Sequence, residues 1–197
     1  MTAAPPRIHV VRFTPAELLD RLTEALRVYV TAMHYPRSAI RQRAPLWREH
    51  ASRSGWRGVG ALDNDGSLLG LGYGYRGAPG QWWHEEVRRG LIAGRSPNIQ
   101  WLSDYFELTE LHVLPAAQGR GLGESLLRLL VSDYPSSSVL LSTPELDQRN
   151  PARAWRLYRR LGFVDVLRHH CFVGDPRPFA VLGSPLPLPD SPPTRRP

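Results

Sequence analysis

Residues 111 to 131, LHVLPAAQGRGLGESLLRLLV, crowd Gly119, Gly121 and Gly123 between an apolar run and a leucine-rich stretch. A strand, a turn lacking side chains and a helix start in that order leave unpaired backbone N–H groups at the positive end of a helix dipole, which suits a pyrophosphate. The dinucleotide fingerprint G-x-G-x-x-G fails, because position 124 is Glu, and no Gly-Lys-Ser/Thr follows to make a P-loop. On these glycines alone, phosphate binding and tight strand-to-helix packing are equally open readings. Further candidates are Glu107, Glu110 and His112 on the run before the turn, and Tyr158, whose phenol is a proton donor at neutral pH. If that run is a strand, Glu107, Thr109, Leu111 and Val113 share one face. Leu108, Glu110, His112 and Leu114 share the other, so the two carboxylates oppose each other unless a bulge intervenes. One of the adjacent Trp82 and Trp83 is expected to line a pocket or an interface, with core packing as the alternative. Cys171 reads as a small buried hydrophobe.

The elements that must carry these residues can be read from pattern. Thr14-Pro15-Ala16-Glu17 predicts a capped helix start. Behind it Leu18, Leu19, Leu22, Ala25, Leu26, Tyr29, Val30 and Met33 form one apolar face, and Pro36 ends the helix. A second helix is expected from about Ser38 to Ser52. Gly58 to Leu62 and Ser67 to Tyr75 flank Asp63-Asn64-Asp65-Gly66, a hairpin signal. Residues 78–100 form an insertion with a short amphipathic stretch ending near Gly94. A strand follows from Tyr105 to Leu114, then a helix from about Gly121 to Ser132 with Leu122, Leu126, Leu129 and Leu130 inward. Next come a short strand at Val139–Leu141, a helix from Asn150-Pro151 to Gly162, and strands near 163–173 and 178–182. The expected layout is an N-terminal arm over 1–7, one domain over 8–183, and a proline-rich tail over 184–197 too poor in apolar residues to pack.

Composition narrows the class. The 197 residues are 42% hydrophobic and 22% charged, an ordinary globular balance. No apolar run reaches bilayer length, and the start MTAAPPRIHV lacks a signal peptide's apolar core, so no membrane partner and a cytoplasmic location are expected. A single cysteine forbids an internal disulfide and a multi-cysteine cluster; no metal is expected. The net charge of +7 rests on 25 basic residues that are all Arg. They are scattered rather than clustered, which fits a coding bias better than a nucleic-acid surface.

The motif Gln118-x-x-Gly121-x-Gly123, taken with Ala154-x-x-x-Tyr158-x-x-x-Gly162-Phe163, resembles the GNAT superfamily of N-acetyltransferases. Element order agrees over roughly residues 8 to 183. The resemblance implies an α/β fold, with a GNAT-type mixed, mostly antiparallel central sheet flanked by helices. It implies acetyl-CoA as co-substrate, its pyrophosphate wrapped by Gln118, Gly119, Arg120, Gly121, Leu122 and Gly123. Its pantetheine arm would pair with backbone near His112 and Val113, where the strand parts from the Val139 strand. The family often has Asn seven residues before the tyrosine; Pro151 stands there, and Asn150, one residue early, either meets the co-substrate or caps the helix. By the same resemblance Tyr158 protonates the leaving thiolate and a strand N–H polarises the carbonyl. Glu107 aligns with the family's glutamate base, with Glu110 and His112 as alternatives. The implied activity is direct acetyl transfer to a small-molecule or protein amine. A non-catalytic CoA-binding protein and, further off, an Arg-rich nucleic-acid binder are the other readings, and a homodimer is left open.

Overall fold

The structure is a computed structural model that describes residues 7–145 and 151–190. Asn150 and the last seven residues therefore lie outside the described residues. Among the described residues, seven strands and six α-helices follow one another as β1 (His9–Phe13), α1 (Pro15–Asp20), α2 (Leu22–Ala32), α3 (Ala39–Ala51), β2 (Arg57–Leu62), β3 (Leu68–Arg76), α4 (Trp82–Ala93), β4 (Tyr105–Val113), α5 (Leu122–Val131), β5 (Ser138–Pro144), α6 (Pro151–Arg160), β6 (Val164–His170) and β7 (Phe179–Pro185). The sheet order is β1-β2-β3-β4-β5-β7-β6. The β1–β2, β2–β3, β5–β7 and β6–β7 pairs are antiparallel, and β4–β5 is parallel. This is the mixed, mostly antiparallel α/β architecture expected. No helix among the described residues is long and apolar enough to cross a membrane.

The chain divides into two interleaved compact units, residues 1–75 with 108–132 and residues 76–107 with 133–197. In the first unit the start of α1 is fixed by its capping box. The Thr14 side chain accepts from Glu17 N–H while the Glu17 carboxylate accepts from Thr14 N–H. The single helix expected here breaks at Arg21, whose backbone leaves helical geometry (φ −98, ψ 12). The break lets its guanidinium donate both to Glu24 and to the Gly66 carbonyl in the hairpin turn, each at 2.9 Å. Leu19, read as part of the apolar face, is exposed at that break, while Val28 is buried. Leu22, Leu26, Tyr29, Trp47, Leu71 and Tyr73 pack α2 and α3 on β3. In α5 the inward residues include Leu127 and Val131; Leu129, expected inward, is only half-buried.

In the second unit, Trp83, Val87 and Leu91 of α4 pack with Tyr105, Leu140 and Val181. The insertion is thus a core-forming helix, not a surface excursion. Strand β7 runs through Ser184 and Pro185, two residues into the stretch expected to be a loose tail. Beyond it Leu186 N–H donates to the Ser137 carbonyl, and the Pro189 ring lies 3.0 Å from where a Cβ on Gly162 would stand. The prolines lack N–H donors but still pack as rings, which composition alone undervalued.

Candidate functional site

In the first unit β4 ends at Val113, and a 3₁₀ turn over Pro115–Ala117 leads to the glycines. The Gln118 side chain donates to the Val113 carbonyl at 3.0 Å, which closes the turn back onto its strand. This bond holds the Gln118 side chain against the end of β4. Gly119 and Gly121 have φ of +80 and +77, a left-handed backbone that side chains disfavour. A Cβ built on either would meet nothing within 4 Å. Crowding cannot explain these two glycines; the turn's geometry and open space do. Gly121 is the N-cap of α5 and, having no side chain, gives the helix's first N–H groups no side-chain cap. Arg120 is exposed and Leu122 buried. Close behind, a Cβ on Gly70 would lie 3.0 Å from the His112 carbonyl and 3.2 Å from Leu126, so that glycine lets β4 and α5 approach β3.

On β4, His112 and Glu110 are joined, Nε2 to Oε2, at 2.5 Å. The imidazole packs edge-on against Tyr29, ring centres 5.1 Å apart. Burial, then the Glu110 charge, push the Tyr29 phenol well above the usual tyrosine range. His50 from α3 contacts the Tyr73 hydroxyl at 3.0 Å, and burial lowers its pKa to about 4. The two β4 carboxylates thus have different surroundings: Glu110 is half-buried and held by an imidazole, while Glu107 belongs to the second unit and is 3% exposed.

In that second unit β4 runs parallel to β5 with Tyr105 opposite Ser138, Phe106 opposite Val139 and Glu107 opposite Leu140. Glu107 closes this register. Tyr158 is buried late in α6, its ring 5.4 Å from Phe163. Its carbonyl accepts from Leu161 and Phe163 N–H, which ends the helix at Gly162 (φ +81). Sequence reasoning missed what anchors this helix. The guanidiniums of Arg159 and Arg168 lie 5.1 and 5.2 Å from the centre of the Trp155 ring, and its indole N–H reaches the Pro144 carbonyl at 3.4 Å. Arg168 pairs with Glu145 at 2.6 Å and with Asp165, which also takes Arg159. Arg159 is four residues along the same helix from Trp155, but Arg168 and Glu145 reach this cluster from other segments of the chain.

Of the adjacent tryptophans, Trp83 is in the core with its N–H on Ser142 Oγ at 3.2 Å. Trp82 is 55% exposed and leans on Phe172 at 5.5 Å. His84 bonds the Tyr105 hydroxyl at 3.0 Å, and burial depresses its pKa. Cys171, expected inside, is exposed because β6 ends one residue before it.

Known proteins agree with this architecture. A relative from Mycobacterium tuberculosis, a GCN5-like protein acetyltransferase, is 46% identical over 205 residues, covering 92% of this chain and 99% of the relative. The chain belongs to the GNAT acetyltransferase family. The sequence pattern of the family described as Acetyltransferase (GNAT) domain matches residues 80–165 of this GNAT protein. A putative GNAT-family acetyltransferase from Desulfovibrio desulfuricans superposes with a TM-score of 0.64 at 18% identity, over 91% of this chain and 99% of that one. NAA60 of Arabidopsis thaliana, solved in complex with acetyl-CoA, does so with a TM-score of 0.56 at 17% identity, over 91% and 99%. At these identities the two structures attest the fold alone. Members of this family use acetyl-CoA.

Proposed function

We propose that this GNAT protein is an N-acetyltransferase that moves the acetyl group of acetyl-CoA directly to a protein amine. The observation that carries the co-substrate assignment is the uncapped start of α5 behind two left-handed glycines with open space over them. That arrangement fits a pyrophosphate, whose oxygens would accept from the N–H groups around Gly119 to Gly123. Arg120 adds a positive charge from the same turn, and backbone at His112 and Val113 would pair with the pantetheine arm. The protein acceptor is supported by the name of the relative at 46% identity.

Acetyl-CoA supplies an activated acetyl group; the chain's residues manage the protons. Glu107 takes the proton of the acceptor ammonium, directly or through water, so that the amine is a nucleophile. A β4 N–H donates to the carbonyl oxygen as negative charge develops there. Tyr158 donates its phenol proton toward the departing sulfur. The test is to incubate the purified protein with acetyl-CoA and, separately, lysyl peptides, free-N-terminus peptides and small amines, following CoA release and product mass. Acetylated peptide with matching CoA release is expected. A protein that tightens in the presence of acetyl-CoA yet releases no CoA with any amine would be a CoA-binding member without this activity.

A further inference from the structure

The first unit has a second place that can hold a small molecule. Between the end of β1, the start of β2 and the last turn of α5 lies a cavity of about 250 Å³. It stands at the opposite end of α5 from the glycine turn, and the ten residues of that helix separate the two by roughly 15 Å. Its walls are apolar: Phe13, Trp56, Val59, Leu129 and Leu130. The Trp56 ring is fixed. It stacks on Tyr73 with ring centres 6.2 Å apart, and a Cβ on Gly58 would meet it at 2.3 Å. Measured against the volume of water in the liquid, the space suits a molecule of roughly eight to ten non-hydrogen atoms.

Two guanidiniums stand at this cavity, Arg12 from β1 and Arg57 from β2. Arg57 Nη1 donates to the Ser132 carbonyl at 2.5 Å, which already answers the open C-terminus of α5. Arg12 is not needed for that task. Its Nη2 reaches the same carbonyl only at 3.5 Å and donates to Ser132 Oγ at 2.6 Å. Among the described residues its Nε and Nη1 make no hydrogen bond, and no carboxylate pairs with it. Glu17, the carboxylate nearest to it in sequence, is committed to Thr14 N–H and Oγ1 at 2.7 and 2.8 Å.

We propose that this cavity binds a small monocarboxylate, its apolar body against the walls and its carboxylate on the open donors of Arg12. The chemistry selects this class. A bare inorganic anion would leave the apolar walls uncovered. A neutral molecule of the same shape would leave the guanidinium without an anionic partner, the strong form of the bond. The site lies apart from the glycine turn, so the proposal stands independently of the acetyltransferase reading.

The experiment is a calorimetric titration of the purified protein. Benzoate and hexanoate serve as probes, benzamide as the uncharged match to benzoate, and inorganic phosphate as the bare anion. Saturable binding of at least one carboxylate is expected, with benzoate about tenfold or more tighter than benzamide at low salt and weakening as salt rises. Arg12→Met, which keeps a long stem and removes the charge, should weaken the carboxylate by about tenfold. Leu129→Trp, which fills the cavity from a half-buried position, should abolish binding and decides the matter if the Arg12 variant does not fold. Saturating acetyl-CoA should leave carboxylate binding in place. No saturable binding of either carboxylate would overturn the proposal, as would equal affinity for benzoate and benzamide, or phosphate bound as tightly as a carboxylate. Unchanged affinity in the variants would also overturn it. Displacement by acetyl-CoA would do so too, by placing the probe at the glycine turn.

Discussion

The two units of the chain present their candidate chemistry in opposite ways. In the second, Glu107 and Tyr158 are 3% and 8% exposed, set in packed cores. In the first, the glycine turn is open: nothing stands within 4 Å of where a Cβ on Gly119 or Gly121 would be, while Glu110 and His112 keep 13% and 10% of their side-chain surface exposed. Burial strengthens electrostatics and tunes a proton-transferring group, whereas a group that holds a ligand must be accessible before the ligand arrives. The comparison teaches that substitutions in the second unit should act on turnover and those in the first on affinity.

The largest effect expected is on turnover. Glu107→Gln should lower kcat by about 100-fold or more at neutral pH, with acetyl-CoA affinity unmoved. Raising the pH should return part of the loss, since more of the amine is then already neutral. If steady-state and binding measurements show the deficit in acetyl-CoA affinity instead, the division between units is wrong. Next comes Gly121→Val. Acetyl-CoA at 100 times its Kd should stabilise the wild type by about 2.7 kcal/mol, a Tm rise of roughly 5–10 °C for a chain of this size. The variant's own strain costs some 1–3 kcal/mol of stability and so lowers its starting Tm, and the quantity to read is therefore the ligand-induced increment. That increment should vanish; its persistence would refute the turn assignment.

A smaller loss, about tenfold in kcat, is expected for Tyr158→Phe, because a thiolate leaves readily even without full protonation. Unchanged turnover would make Tyr158 a packing residue and blur the comparison. The smallest effect concerns His50 in the first unit. Its folded pKa, about 4, lies below the ordinary value near 6.5, so between those pH values the unfolded chain binds more protons. Its contribution is complete above pH 6.5 and is lost as pH falls toward 4. Denaturant midpoints at pH 7 and 5 should therefore differ less in His50→Gln than in the wild type.

Much of the fold was legible because its signals are local. The Thr14–Glu17 capping box, the Asp63–Gly66 turn and the Gly162 stop each act within one helical turn or hairpin. What escaped depends on contacts distant in sequence. The break at Arg21 answers to a carbonyl 45 residues away. The inward turn of Leu127 rather than Leu129 and the packing of Pro189 are set by neighbours no window contains. At the candidate site the glycine turn and Tyr158 could be proposed from motif spacing. The Glu110–His112 contact follows from two residues sharing a strand face, yet strand alternation alone does not say that they touch. Around Trp155 the i,i+4 partner Arg159 lies within reach of helical spacing, whereas Pro144 and Arg168 come from other segments and their contacts are not visible in it.

The line between the two units falls inside one strand, after Glu107 and before Leu108. During synthesis this sets an order. Residues 1–75 emerge first but lack their glycine turn and α5, which follow only after the 76–107 segment has been made. At about 5–20 residues per second the nascent first unit waits several seconds with α2 and α3 on a sheet missing its next strand. The second unit, begun in the interval, in turn waits for β5 to β7. Neither can be finished by the ribosome before the other has been started, so a stalled or truncated chain should yield an aggregation-prone fragment and not a half-sized domain.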